Sequence, residues 1–207
     1  MDKHIEAPHY NKKSLECLAR KILEGYDMSF ISFEIKPIPI EDIIENHYNI
    51  NLLYQYLSPN MSLLGLTAFE DGVLKVYDFD LKSKIDKRIK AGTILIESRL
   101  ADEKQTGRYR FTCAHELSHY TAHKNYFEKM SMVASYNPND DPEVNWLEWQ
   151  ANYMAAALLM PLKPLKINFY KNICAGISQE ENISTLSAAF DVSKAALTMR
   201  LNDLKLI

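Results

Sequence analysis

The sequence predicts an α+β fold, on three observations. Apolar residues recur at helical spacing near both ends of the chain, and a middle stretch is rich in β-branched residues. Between that stretch and the tail lie two long helical segments that carry polar groups among apolar ones. Leu15, Leu18, Ile22 and Leu23 mark the first helix, and Gly25 offers it a stop. Pro37 and Pro39 interrupt regular structure, and Glu41 to Asn46 begin a second helix. Within residues 63–80, an Asp-Gly pair at 71–72 between β-rich runs predicts a hairpin. GTILIES (92–98) predicts a further strand.

A polar connection, ADEKQTGRYR, leads into a helix from about Arg110 to Asn125, followed by a loop, MSMVASYNPND. The strongest helix comes next. Asp141 can cap it, Pro142 suits its first position and Pro161 ends it. Leu147, Ala151, Met154, Ala155, Leu158 and Leu159 form its apolar stripe. From Asn182 onward the pattern predicts two or three short helices. The expected organisation is a helical extension over 1–34, a main domain over 35–170 and a helical tail over 171–207 packed on it.

At 207 residues the chain is long enough for one domain with a real core. Lys plus Arg (24) nearly balances Asp plus Glu (27), which is no footprint for a protein that coats nucleic acid. The three cysteines, Cys17, Cys113 and Cys174, are scattered, which fits a reducing compartment better than a disulfide framework. The first residues lack the apolar run of a secretory signal, and no stretch approaches the ~18 apolar residues that span a bilayer. The expectation is a soluble cytoplasmic protein with no membrane partner.

Chemistry concentrates in RFTCAHELSHYTAH, where His115, Glu116 and His119 spell HExxH. Helical residues four apart differ by only ~40° in azimuth and ~6 Å along the axis, so both imidazoles can reach one ion. Glu116 lies ~100° round from His115, too far to share the ion easily but placed to take a proton from a metal-activated water. A catalytic zinc usually has three protein ligands. Glu148, in EWQAN on the strong helix, is the best third candidate. Asn152 lies four residues later, where its amide can orient a ligating histidine. Glu143 is the rival acid, better explained as a first-turn residue favoured by the helix dipole. Zinc is expected, with manganese also compatible with two histidines and a glutamate.

RFTCAHELSHYTAH followed by EWQANYMAAALLMP resembles the ImmA/IrrE family of metallo-endopeptidases. IPIEDIIE, GTILIES and the ending LSAAFDVSKAALTMRLNDLKLI resemble that family too, so the likeness spans most of residues 35–207. Residues 1–34 have no counterpart. The resemblance implies a zincin-like core with His115, His119 and Glu148 as zinc ligands and Glu116 as general base. Ser118 stands where the family commonly has glycine, and Met154 where it usually has phenylalanine. The resemblance further implies an intracellular endopeptidase acting on a helix-turn-helix repressor of the phage type. Zincin-type folds place an edge strand before the active-site helix, so Thr93, Ile94, Leu95 and Ile96 are expected to bind extended substrate by strand addition.

His123 extends the histidine face and is expected to support the ligands, since a further ligand would close the site. Cys113 is read as a buried core thiol. Tyr109, Tyr120, Tyr126 and Tyr153 flank the motifs as candidate oxyanion donors. Trp146 and Trp149 bracket Glu148 and are expected to pack. The tail has a helix-turn-helix rhythm with Lys194, Thr198 and Arg200 as candidate DNA contacts, although packing is the favoured role. Two other functions stay open: a non-proteolytic protein that sequesters a transcription regulator, and a DNA-binding regulator that works through the tail.

Overall fold

The computed structural model describes residues 6–101, 107–130 and 142–207, the side chains of 142–144 excepted. Helix α1 (Lys12–Tyr26) starts where the Asn11 side chain accepts a hydrogen bond from the Ser14 amide. It buries Leu15, Ala19, Ile22 and Leu23. Gly25 falls inside its last turn, and the helix ends at Asp27. Helix α2 (Ile40–Asp42) continues as a π turn over Ile43–His47. Five strands follow: β1 (Asn51–Gln55), β2 (Gly65–Ala68), β3 (Gly72–Asp78), β4 (Ser83–Ile89) and β5 (Thr93–Glu97).

After a short helix, α3 (Ser98–Ala101), the histidine-bearing helix α4 runs Gly107–Ser118. It passes through a π turn (His119–His123) into α5 (Lys124–Lys129). Helix α6 (Pro142–Leu159) begins at the expected proline, while its expected cap, Asp141, lies outside the described residues. Helices α7 (Leu162–Cys174), α8 (Gln179–Phe190) and α9 (Lys194–Asp203) complete an α+β architecture.

The whole expected stripe of α6 is buried. Its Met154, Ala155, Leu158 and Leu159 meet α1, α4 and the inner face of the sheet in one apolar core with Leu15, Leu23, Ile94 and Leu117, while Leu147 packs with Ala7, Phe69 and Phe127. Leu15, Ala19, Ile22 and Leu23 of the expected helical extension are part of that core. A second cluster, Met160, Leu165, Phe169, Leu186, Phe190, Leu197 and Leu201, joins α7 to α9 with the end of α6. The boundary expected at 170/171 falls within α7.

Two strand expectations need correction. Thr93, Ile94, Leu95 and Ile96 do not form an edge: β5 is the centre of a three-stranded sheet ordered β1-β5-β2. β1 pairs with it in parallel and β2 antiparallel, so both of its hydrogen-bonding sides are taken. All five of its residues are buried, the apolar Ile94–Ile96 stretch with Thr93 and Glu97 at its ends, as befits a central strand. The hairpin also lies elsewhere. β3 and β4 pair with each other across residues 79–82, whereas Asp71-Gly72 carries the chain from one sheet to the other. Asp71 serves that passage by accepting from the Ala91 amide at 2.8 Å.

The loop between β1 and β2 is held by a buried carboxylate and a half-buried guanidinium. Glu97, at the end of β5, accepts from the Leu57 amide at 2.9 Å and from Arg99 Nε at 2.7 Å. The Arg99 guanidinium also donates to the carbonyls of Ser58 and Pro59. Burial works to raise the Glu97 pKa, but Arg99 and the Leu57 amide outweigh it and hold the carboxyl below its ordinary value. A depressed folded-state pKa stabilises above the unfolded value and is lost as pH falls through the folded one. Glu97→Gln should cost about 1–3 kcal/mol at neutral pH and flatten the acid limb of stability. Denaturant titrations across the acid range check both effects; an acid limb as steep as the wild type's would assign the dependence to other groups.

Candidate metal centre

α4 and α6 pack side by side and present their polar groups to one point. His115 Nε2 and His119 Nε2 lie 3.0 Å apart. Glu148 reaches them with one oxygen each, Oε2 to His115 and Oε1 to His119, both at 3.2 Å. Tetrahedral zinc at 2.0–2.1 Å from its donors separates them by about 3.3 Å, so the donor set fits such an ion. Among the described residues these three form the group able to hold a metal. Glu143 has no described side chain to compare.

The electrostatics fit a cation as well. Burial would raise the Glu148 pKa, yet hydrogen bonds to His115 and His119 hold its carboxyl well below the usual range. Burial likewise works to lower the His115 pKa, but Glu148, Glu116 and Asn152 outweigh it and raise it. Each of the two imidazoles has a polar partner behind it. His115 Nδ1 lies 3.0 Å from Asn152 Oδ1, and His119 Nδ1 lies 3.1 Å from His123 Nδ1. An Nδ1–H donated to each partner leaves the Nε2 lone pair aimed at the shared point. A π turn runs over His119–His123, and His123 lies against His119 Nδ1, on the side away from the point shared with Glu148. Burial pushes the His123 pKa down to about 3, which keeps its ring neutral.

Glu116 is buried, and burial raises its pKa above the usual carboxylate value. Its Oε2 accepts from Thr67 Oγ1 at 2.7 Å. With Gly65, Leu63, Leu64, Phe111 and Thr112, these groups line a cleft of about 380 Å³. Leu63 and Leu64 lead into β2, which is thus the strand over the site, and no described strand pairs with its outer side. Sequence reasoning missed Gly65 and Thr67; the available signal was a glycine at the start of a β-rich run, where a close approach is often needed.

The remaining candidates sit apart from this cleft. Tyr109 donates to Glu41 at 2.5 Å, Tyr153 donates to Glu16 at 2.8 Å, and Tyr120 receives Lys124 Nζ at 3.1 Å. None of these, nor Tyr126, is among the residues lining the cleft. Ser118 turns its hydroxyl back to the Ala114 carbonyl at 2.7 Å, and Met154 is buried in the core. Burial pushes the Cys113 thiol up to about 12, consistent with a core residue. Trp146 and Trp149 stack on each other with ring centroids 4.6 Å apart. Arg200, expected to be available to DNA, is buried on Glu16. Thr198 donates its hydroxyl to the Lys194 carbonyl, a bond internal to α9.

A model of the IrrE N-terminal-like domain of the Peptidase_M78 family matches residues 74–202, more than half of the chain. The chain belongs to the Peptidase_M78 family. The matched range takes in all three candidate ligands and Glu116, and begins within β3. Residues 35–73, expected to share the likeness, lie outside it. Among solved structures, a Mycobacterium tuberculosis transcriptional regulator aligns at 13% identity with a TM-score of 0.47, over 90% of this chain and 55% of that one. The Peptidase_M78 chain thus spans about half the length of that regulator. Comparison with curated proteins gives no match. No helix among the described residues of this family member is long and apolar enough to cross a membrane.

Asn152→Leu should weaken the affinity of this site for a divalent metal by about 10–100-fold, because His115 loses the amide that orients it. A chelator competition titration reads this directly. Wild-type affinity in the variant would mean that packing alone holds the ring.

Proposed function

We propose that this Peptidase_M78 chain is a zinc endopeptidase with a zincin-like core. The observation that carries the reading is the convergence of His115, His119 and Glu148 on one point, with Glu116 buried in the same cleft beneath β2. Two imidazoles and one carboxylate suit zinc, and their number leaves a coordination position for the reaction. Zinc held there supplies a Lewis acid that acidifies water and polarises a peptide carbonyl. Glu116 accepts the proton of the attacking water and passes it to the leaving amine. Asn152 and His123 keep the two imidazoles in one orientation.

The outer side of β2, rather than β5, is where an extended substrate adds as a strand, its main chain held beside Glu116. Leu63, Leu64 and Phe111 give the cleft apolar walls. The substrate is a transcription regulator of the helix-turn-helix repressor type, as the resemblance to ImmA/IrrE peptidases implies. Burial of Arg200 weakens the alternative of a DNA-binding tail, because the strongest basic group of α9 is occupied inside the protein.

Co-expression with helix-turn-helix repressors drawn from the same genome tests the proposal, with mass spectrometry of each regulator. The expected result is two fragments from one internal cut, absent when Glu116 is replaced by Gln. Relief of repression with an intact regulator would instead support sequestration without cutting.

A further inference from the structure

We infer that Gly65 and Thr67 of β2 form a cradle that aims Glu116, and so act as positioning residues for the general base. This rests on the reading of Glu116 as that base. Strand residues two apart share a face. On β2 the odd pair, Gly65 and Thr67, faces α4, while Leu66 and Ala68 pack into a separate cluster with Leu57, Val76 and Leu95.

Both residues of the odd face touch the Glu116 carboxyl. Thr67 Oγ1 lies 2.7 Å from Oε2 and 3.0 Å from the main-chain oxygen of Glu116, so its one proton goes chiefly to the nearer carboxylate oxygen, with the main-chain oxygen as the weaker arm of a shared bond. At position 65, a Cβ would stand 2.6 Å from Glu116 Oε1, 2.8 Å from its Cγ and 2.8 Å from Thr112 Cγ2. Glu116 can lie where it does only against a residue with no side chain. Glycine inside a strand costs stability, and close approach of another group is the usual compensation. The threonine hydroxyl is equally unexplained by packing, since valine would fill the same space. Its bond commits Oε2 and leaves Oε1, against Gly65 at the cleft wall, to accept the proton from water.

The test uses the zinc-loaded full chain and acetohydroxamic acid, which gives its hydroxyl proton to the base carboxylate as it binds. Affinity is measured by calorimetry, with zinc content and melting temperature measured in parallel. Thr67→Val should bind the hydroxamate about tenfold more weakly while retaining zinc, and Thr67→Ser should restore wild-type affinity. Gly65→Ala should also retain zinc and bind the hydroxamate at least tenfold more weakly, roughly the loss of one hydrogen bond. Wild-type affinity in Thr67→Val, or equal losses in the Val and Ser variants, would overturn the cradle. Glu116→Gln separates the two layers: if it binds the hydroxamate as tightly as wild type, the general-base reading fails. If Glu116→Gln binds weakly and Thr67→Val normally, only the cradle fails.

Discussion

Glu116→Gln is expected to lower single-turnover cleavage of the protein substrate by about 10²–10⁴-fold, the usual contribution of a positioned base. The substitution keeps size and shape, so the crowded contact with Gly65 is preserved. The amide oxygen can still accept from Thr67, which now stands 2.7 Å from Oε2. What disappears is an atom able to take a proton, since an amide is no base near neutral pH. Zinc content and melting temperature should stay at wild-type values, because Glu116 is not among the converging donors. Cleavage rates read from fragment accumulation check the first claim, and metal analysis checks the second. A variant that cuts at the wild-type rate would remove Glu116 from the chemistry.

Arg200→Ala is expected to cost about 3–5 kcal/mol of stability, the range for breaking a buried ion pair from one side. Arg200 Nη1 and Nη2 donate to the two oxygens of Glu16 at 2.6 and 2.9 Å, and Nη2 also donates to the Met160 carbonyl at 3.3 Å. Tyr153 adds its hydroxyl to Glu16, so α1, α6 and α9 meet at one carboxylate. The Arg200 side chain is 0% exposed and that of Glu16 is 16% exposed, so water can do little for the carboxylate left behind. The nearby pair Lys12–Asp203 offers a control. It is equally short at 2.6 Å but largely exposed, and Lys12→Ala should change stability by no more than about 1 kcal/mol. Urea titrations compare the two variants. A loss below about 1 kcal/mol for Arg200→Ala would mean that apolar packing, not the ion pair, joins the two ends of the chain. Glu16→Leu combined with Arg200→Met should recover most of the loss, since a matched apolar pair replaces the desolvated charges.

Local patterns made part of the site readable in advance. Helical spacing places His115, His119 and His123 on one side of the segment formed by α4 and its π turn, and Glu148 and Asn152 on one side of α6. The structure brings these five together because both helices also bury apolar stripes against each other. Pairings distant in sequence were not readable in the same way. TILIE reads as a strand, but its partners come from residues 51–55 and 65–68. Its unbroken apolar run was the sign of a central position, and the family pattern of an edge strand before the helix pointed the other way. β2 is four residues long, and although its leading glycine hints at a close approach, nothing local says that Glu116 is what approaches Gly65 and Thr67. Arg200 illustrates the same limit. A basic residue on a helix after a tight turn suggests an exposed contact, and only its partner 184 positions away reveals it as core.

The most direct measurement is the metal content of the purified chain, by inductively coupled plasma mass spectrometry after zinc loading and removal of excess. One zinc per chain is expected in the wild type and in Glu116→Gln, with loss of the ion in Glu148→Ala and in His115→Ala. A wild-type chain that takes up no metal, or a Glu148→Ala variant that still holds a full equivalent, would contradict the His115, His119 and Glu148 centre.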